Sequence, residues 1–134
     1  MIHRFISIIA LTIASVIFSS CTNRQSAALL NDVESYIQKC PDSALAVLRA
    51  IDTTTLNSRR LQAHYALLHA MALDKNWIDT IDENVVMPAV AYYNRHRPLS
   101  RRAKPYYYLG RIQYNGGRYD EAILSFTRAG EYAE

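Results

Sequence analysis

Residues 103–130, AKPYYYLGRIQYNGGRYDEAILSFTRAG, decide the fold of this chain. Apolar and small residues recur there every three or four positions on both sides of a glycine pair, which is the spacing of one helical face. They are Tyr106, Leu109 and Gly110 before the pair, and Tyr119, Ala122, Ile123, Phe126 and Ala129 after it. The stretch therefore predicts two helices joined by a short turn.

The local residue choices agree with a helical hairpin. Gly116 and Gly117 are expected to supply the positive φ values that end the first helix. The acidic residues at 120–121 suit the start of the second helix, where the helix dipole favours negative charge. Gly110 and Ala122 are small where the two helices must approach closely.

The same stretch resembles the tetratricopeptide repeat, a helix-turn-helix unit of about 34 residues. Tyr106 stands where the family often has Trp, Leu109 and Gly110 match its Leu-Gly pair, and the second helix carries the family's small and aromatic positions at Ala122, Phe126 and Ala129. Gln113 departs from the usual aromatic residue. The resemblance implies an all-α fold in which antiparallel helical hairpins stack as a short solenoid.

Two weaker copies precede this repeat, so the predicted units are about 27–52, 57–97 and 102–134. Their helices are expected over 27–39 and 42–51, and over 62–73 and 83–95, with Asp42 as an N-cap and Pro88 in a first turn. Stacked hairpins bury their apolar faces only against neighbours. Because no further helix would cover Tyr119, Ile123 and Phe126, we expect the chain to be either a truncated product or the N-terminal part of a longer array.

The N-terminus has the layout of an export signal. His3 and Arg4 precede an apolar run that is too short to span a bilayer comfortably, and residues 16–21, VIFSSC, resemble a bacterial lipobox. The prediction is a signal peptide over 1–20, lipidation of Cys21, and a tether over 21–26. The alternative is an uncleaved anchor helix. Localisation would be the cell envelope, with the outer membrane favoured over the inner.

Little in the sequence points to chemistry. No catalytic residue, metal site or cofactor is expected, because the histidines lie at separate positions and no nucleophile or phosphate-loop motif is present. Cys40 is expected as a half-buried turn residue. The net charge of +3 does not predict nucleic-acid binding. The segment 95–118 is nonetheless basic and 74–83 acidic, which fits either solvated polar loops or a patch for an anionic partner.

The resemblance implies a concave groove, lined by the first helix of each repeat, that binds a protein or peptide partner. By that alignment the groove residues are Lys104, Tyr107, Arg111, Tyr114 and Asn115, with Tyr65 and His69 from the preceding repeat. Such side chains can hold carboxylates and apolar groups. They can equally be the exposed face of an amphipathic helix. The predicted function is thus a lipid-anchored interaction module at the bacterial envelope; the alternative is a glycan- or nutrient-capturing lipoprotein that uses Trp77 and exposed tyrosines.

Overall fold

The structure, a computed structural model, describes residues 23–96 and 98–133, and this part of the chain is all-α, as predicted. Three short 3-10 helices connect longer elements at Thr53–Thr55, Glu83–Val85 and Leu99–Arg102. No strand occurs within the described ranges. The α-helices are α1 (residues 23–36), α2 (Pro41–Ala50), α3 (Arg59–Lys75), α4 (Met87–Tyr93), α5 (Ala103–Asn115) and α6 (Tyr119–Glu131).

Helices α5 and α6 form an antiparallel hairpin. The rings of Tyr114 and Tyr119 make an edge-to-face contact at 5.4 Å beside the turn, and those of Tyr106 and Tyr132 meet at 5.7 Å at the far end. Of the two glycines in the turn, only Gly117 has a positive φ, of 73°. Gly116, the C-cap, has φ −81°, so the expectation of positive φ at both glycines was wrong for Gly116. Gly117 alone supplies the left-handed residue that ends α5, and Arg118 N donates to the Gln113 carbonyl at 2.9 Å.

Gly110 is where the two helices approach most closely, as its small size predicts. A Cβ atom placed on Gly110 would lie 2.6 Å from the ring of Phe126, well inside van der Waals contact. The missing side chain therefore allows Phe126 to pack directly on the backbone of α5.

The helix starts differ from expectation in α2. Cys40 occupies the N-cap and Pro41 the first position, where its fixed φ suits the helix and its missing N–H costs nothing. Asp42, predicted as the N-cap, instead lies inside the first turn and accepts no capping hydrogen bond. Cys40 is exposed, not half-buried.

Helix α3 starts three residues earlier than predicted. Its N-cap is Ser58, whose hydroxyl accepts a hydrogen bond from Leu61 N at 3.2 Å.

The boundaries of the first two predicted repeats also shift. Residues 23–26 are helical and belong to α1, where a tether was expected. The signal peptide and Cys21 lie outside the described residues. In the second unit, the predicted helix 83–95 divides into a 3-10 turn and α4, with Pro88 in the first turn of α4 as expected.

The first helices of the three hairpins lie side by side. Glu34 of α1 and Gln38 in the turn just after it contact His64 and Met71 of α3 in the same order, so the two helices run in the same direction. Helix α3 also contacts α2, α4 and α5, which makes it the centre of a single buried core. The large core residues Leu30, Ile37, Leu48, Leu68 and Met71 are almost entirely buried.

Candidate functional site

A cleft of about 440 Å³ opens between α1, α3 and the start of α5, with Tyr93 of α4 in its wall. We call it the basic cleft. Its size is within the range of about 300–1,000 Å³ typical of ligand pockets. The lining residues are Ala27, Asn31, Glu34, Arg60, Leu61, His64, Leu67, Tyr93, Ser100, Arg101 and Lys104.

Helical periodicity explains why these side chains converge. Positions 27, 31 and 34 of α1 are spaced four and three apart and so share one face, and positions 60, 64 and 67 of α3 repeat that spacing. Lys104 is in the first turn of α5, and Arg101 comes from the 3-10 turn just before it. Three helices and one turn therefore each present a polar side chain to the same space.

The charge of the basic cleft is predominantly positive. Arg60, Arg101 and Lys104 form no ion pair with any other described residue. The carboxylate of Glu34 lies 2.9 Å from His64 Nε2 and is the one acidic group among the lining residues. Two guanidinium groups and an ammonium are thus available to an anionic group, and guanidinium groups bind carboxylates with charge-assisted, often bidentate hydrogen bonds.

Tyr93, a buried residue, contributes its side chain to this wall. Burial raises the pKa of Tyr93, and the nearby Arg101 and Arg60 only partly oppose that shift while Glu34 adds to it. The phenol therefore stays protonated at neutral pH and keeps a hydrogen-bond donor. Arg102 Nε, next to the cleft residue Arg101, donates to the Tyr93 carbonyl at 3.2 Å and fixes the 3-10 turn against α4.

Among the seven residues predicted for the groove, Lys104 lines the basic cleft. Arg111 and Asn115 lie further along α5 and bind the acidic 74–83 segment. Arg111 Nε donates to Asp74 at 2.7 Å, which raises the pKa of the guanidinium, and Asn115 donates to the Thr80 carbonyl at 3.4 Å.

The two predicted tyrosines of α5 are exposed on its α6 side. Tyr107 lies 5.8 Å from the Phe126 ring, and Tyr114 contacts Tyr119. The rings of Tyr65 and His69 lie 5.5 Å apart in a tilted arrangement. Burial lowers the pKa of His69, and the nearby charge of Arg49 in α2 lowers it further. None of these four residues lines the basic cleft.

The basic and acidic segments of the sequence turn out to neutralise each other in part. Besides Arg111 with Asp74, Arg118 binds Glu83 at 2.8 Å. Arg60, Arg101 and Lys104, which form no ion pair with another described residue, lie together near the other end of α3 and α5, in the basic cleft.

Sequence reasoning missed Glu34, Arg60, His64 and Tyr93 as a group. The alignment with the repeat placed Tyr65 and His69 in the groove, and these residues lie on a different side of α3 from Arg60 and His64. A useful signal was present in the chain: polar residues at 60 and 64 share a helical face, as do those at 31 and 34. Their meeting depends on how α1 packs against α3, which spacing within one helix does not reveal.

Neither a metal-binding cluster of His, Cys, Asp or Glu nor a helix of the length and hydropathy needed to cross a membrane occurs in residues 23–96 and 98–133. Comparison with protein-family models, curated proteins and solved structures finds no match for this chain.

Proposed function

We propose that this protein is a lipid-tethered, tetratricopeptide-like interaction module that binds a protein or peptide partner at the bacterial envelope and has no chemistry of its own. Its binding surface is the basic cleft, and the part of the partner that enters it carries acidic groups. The lipobox-like sequence at 16–21 supports export and lipidation of Cys21, and the geometry of the basic cleft supports it as the binding surface.

The observation that carries the proposal is the convergence of Arg60, Arg101 and Lys104 on one concave space without a carboxylate partner among the described residues. Arg111 and Arg118, at the other end of α5, are by contrast paired with Asp74 and Glu83. Like charges held together repel each other, and a bound anionic group would relieve that repulsion.

The repeat classification is supported by the arrangement of the helices. Helices α1, α3 and α5 are each followed by a shorter or equal partner, and the cleft lies between these first helices, as the tetratricopeptide resemblance implies for a groove. A partner segment that enters the cleft would therefore contact all three hairpins at once.

The test is fluorescence anisotropy of a labelled peptide of alternating Glu and Tyr, titrated with the full chain in detergent. Arg101→Glu with Lys104→Glu should weaken binding by about tenfold or more, because two attractive contacts become repulsive. The matched control reverses two exposed charges outside the cleft, Arg24→Glu with Lys39→Glu, and should keep most of the affinity. Equal losses in the two variants would reject the cleft as the binding surface.

A glycan-capturing lipoprotein is the second candidate, and one observation favours it. Trp77, the single tryptophan of the chain, is 88% exposed and offers a flat aromatic face to a sugar ring. A change in Trp77 fluorescence on titration with neutral oligosaccharides, without any response to the acidic peptide, would select this candidate.

A further inference from the structure

The most unusual segment outside the basic cleft is residues 76–82, here called the Trp77 loop. Trp77 has φ 57°, a left-handed conformation that bulky residues rarely adopt, and its side chain is almost fully exposed. Ile81 of the same loop is also exposed. Large apolar side chains displayed together on a surface commonly mark an interaction site.

Hydrogen bonds hold the loop in this conformation. Ile78 N donates to the Leu73 carbonyl at 3.0 Å, and Asn76 Nδ2 donates to the Pro41 carbonyl at 2.8 Å. On the other side, Thr80 accepts a hydrogen bond from Asn115 of α5. The loop is therefore braced against α2, α3 and α5, and Trp77 is presented from a fixed base.

The Trp77 loop is acidic as well as aromatic. Asp74 and Glu83, which flank it, are paired with Arg111 and Arg118. Asp79 and Asp82 within it form no ion pair in the described part of the chain, although Asp82 accepts hydrogen bonds from Asn84. The loop thus combines an indole with two carboxylates, which is a surface that suits arginine and lysine side chains.

The basic cleft has the complementary chemistry, but the loop cannot reach the cleft of its own molecule. The cleft includes Arg60 and His64 in the first half of α3, whereas Trp77 follows the end of α3. At a rise of 1.5 Å per residue, His64 and Trp77 are separated by about 20 Å along the helix axis. Contact between the two surfaces therefore requires two molecules.

We propose that the Trp77 loop of one copy docks in the basic cleft of a second copy, so that molecules associate head to tail. This inference rests on the proposed function of the cleft and names its occupant. The indole of Trp77 lies against an arginine guanidinium of the cleft, and Asp79 and Asp82 meet its cationic groups. The contact is heterologous, so each dimer leaves one loop and one cleft unused and the association can continue.

A mixing experiment tests this geometry. The cleft variant Arg101→Glu with Lys104→Glu keeps an intact loop, and the loop variant Trp77→Ala with Asp79→Lys keeps an intact cleft; all four side chains are exposed. In sedimentation velocity of the full chain in detergent, the unsubstituted protein should associate with rising concentration. Each variant alone should associate about tenfold more weakly or not at all. Their equimolar mixture should form a dimer and nothing larger.

The outcomes separate this inference from the proposed function. If the loop variant binds the acidic peptide as the unsubstituted chain does, but never binds the cleft variant, the cleft function stands and self-docking is overturned. An unsubstituted chain that stays monomeric at all concentrations overturns it too. Self-docking is likewise overturned if Trp77 fluorescence changes on addition of a neutral oligosaccharide but does not change as the protein concentration rises. Circular dichroism of each variant checks that helicity is retained.

Discussion

Gln113 is a polar side chain buried between α5 and α6, and both ends of its amide have hydrogen-bond partners. The Ser125 hydroxyl donates to Gln113 Oε1 at 2.7 Å, and Gln113 Nε2 donates to Glu83 at 3.3 Å. Both atoms of the amide are satisfied, and the amide connects the last hairpin to the 3-10 turn before α4. At this position the two helices are therefore joined by hydrogen bonds of defined geometry.

Removing one partner of this hydrogen bond should cost more than removing both. Ser125→Ala leaves the buried Gln113 oxygen without its donor and should destabilise the fold by about 1–3 kcal/mol. Ser125→Ala combined with Gln113→Leu should recover part of that loss, because no unsatisfied group remains. Urea unfolding of both single variants, Ser125→Ala and Gln113→Leu, and of the double variant measures the difference. A double variant that loses the sum of both single effects would contradict the account.

His69 supplies a pH dependence. Burial, with Arg49 as a second cause, lowers the pKa of His69 below its ordinary value of 6.5. The unfolded chain therefore binds a proton more readily than the folded one, and His69 removes stability as pH falls through the ordinary value. We expect His69→Gln to flatten the fall in unfolding free energy between about pH 7.5 and about pH 5.5. An unchanged slope would show that His69 is not held neutral.

The close approach of α5 and α6 at Gly110 can be tested by substituting alanine for Gly110 and, for comparison, for Gly130, which has no atom nearby that an added side chain would meet. Gly110→Ala gains about 1 kcal/mol of helix propensity but must displace the Phe126 ring, so we expect a net loss of roughly 1–3 kcal/mol. Gly130→Ala, which meets no atom within 4 Å, is the matched control and should stabilise by about 0.5–1 kcal/mol. Thermal unfolding compares them.

The Gly110 effect should depend on Phe126. In a Phe126→Leu background the added methyl group has room, and the cost of Gly110→Ala should shrink. The same cost in both backgrounds would place the strain elsewhere in the hairpin.

The elements also show what a sequence can and cannot predict here. The last hairpin was predicted closely, because apolar spacing, the Gly116-Gly117 pair and small Gly110 all act within 30 neighbouring residues. Helix α4 was predicted too long, since Pro88 and the Asp82-capped 3-10 turn divide that segment. The basic cleft was missed because it forms only when α1, α3 and α5 pack together, and no single helix carries its pattern.

At the scale of the whole molecule, the predicted membrane attachment depends on Cys21, which lies outside the described residues. We expect intact-mass analysis of the protein extracted from membranes to give a chain that begins at Cys21 and carries added acyl mass. Cys21→Ala removes the attachment point for the acyl chains that anchor the protein. This variant should therefore lose both the added mass and its retention in membranes. An unmodified full-length mass would instead indicate the uncleaved anchor helix.

Two surfaces of opposite charge at opposite ends of α3 give the molecule a polarity that its small net charge hides. The basic cleft collects Arg60, Arg101 and Lys104, and the Trp77 loop collects Asp79 and Asp82. Internal ion pairs neutralise much of the charge between them. Association should therefore weaken as salt screens these surfaces.

Amide chemical-shift mapping shows directly whether a partner binds in the basic cleft. The ¹⁵N-labelled full chain in detergent would be titrated with the acidic Glu-Tyr peptide. We expect the largest chemical-shift changes at the backbone amides of four cleft residues: Asn31, His64, Arg101 and Lys104. Shifts centred on Tyr107, Tyr114 and Tyr65 instead would contradict it and return the binding surface to the groove that the sequence alignment predicted.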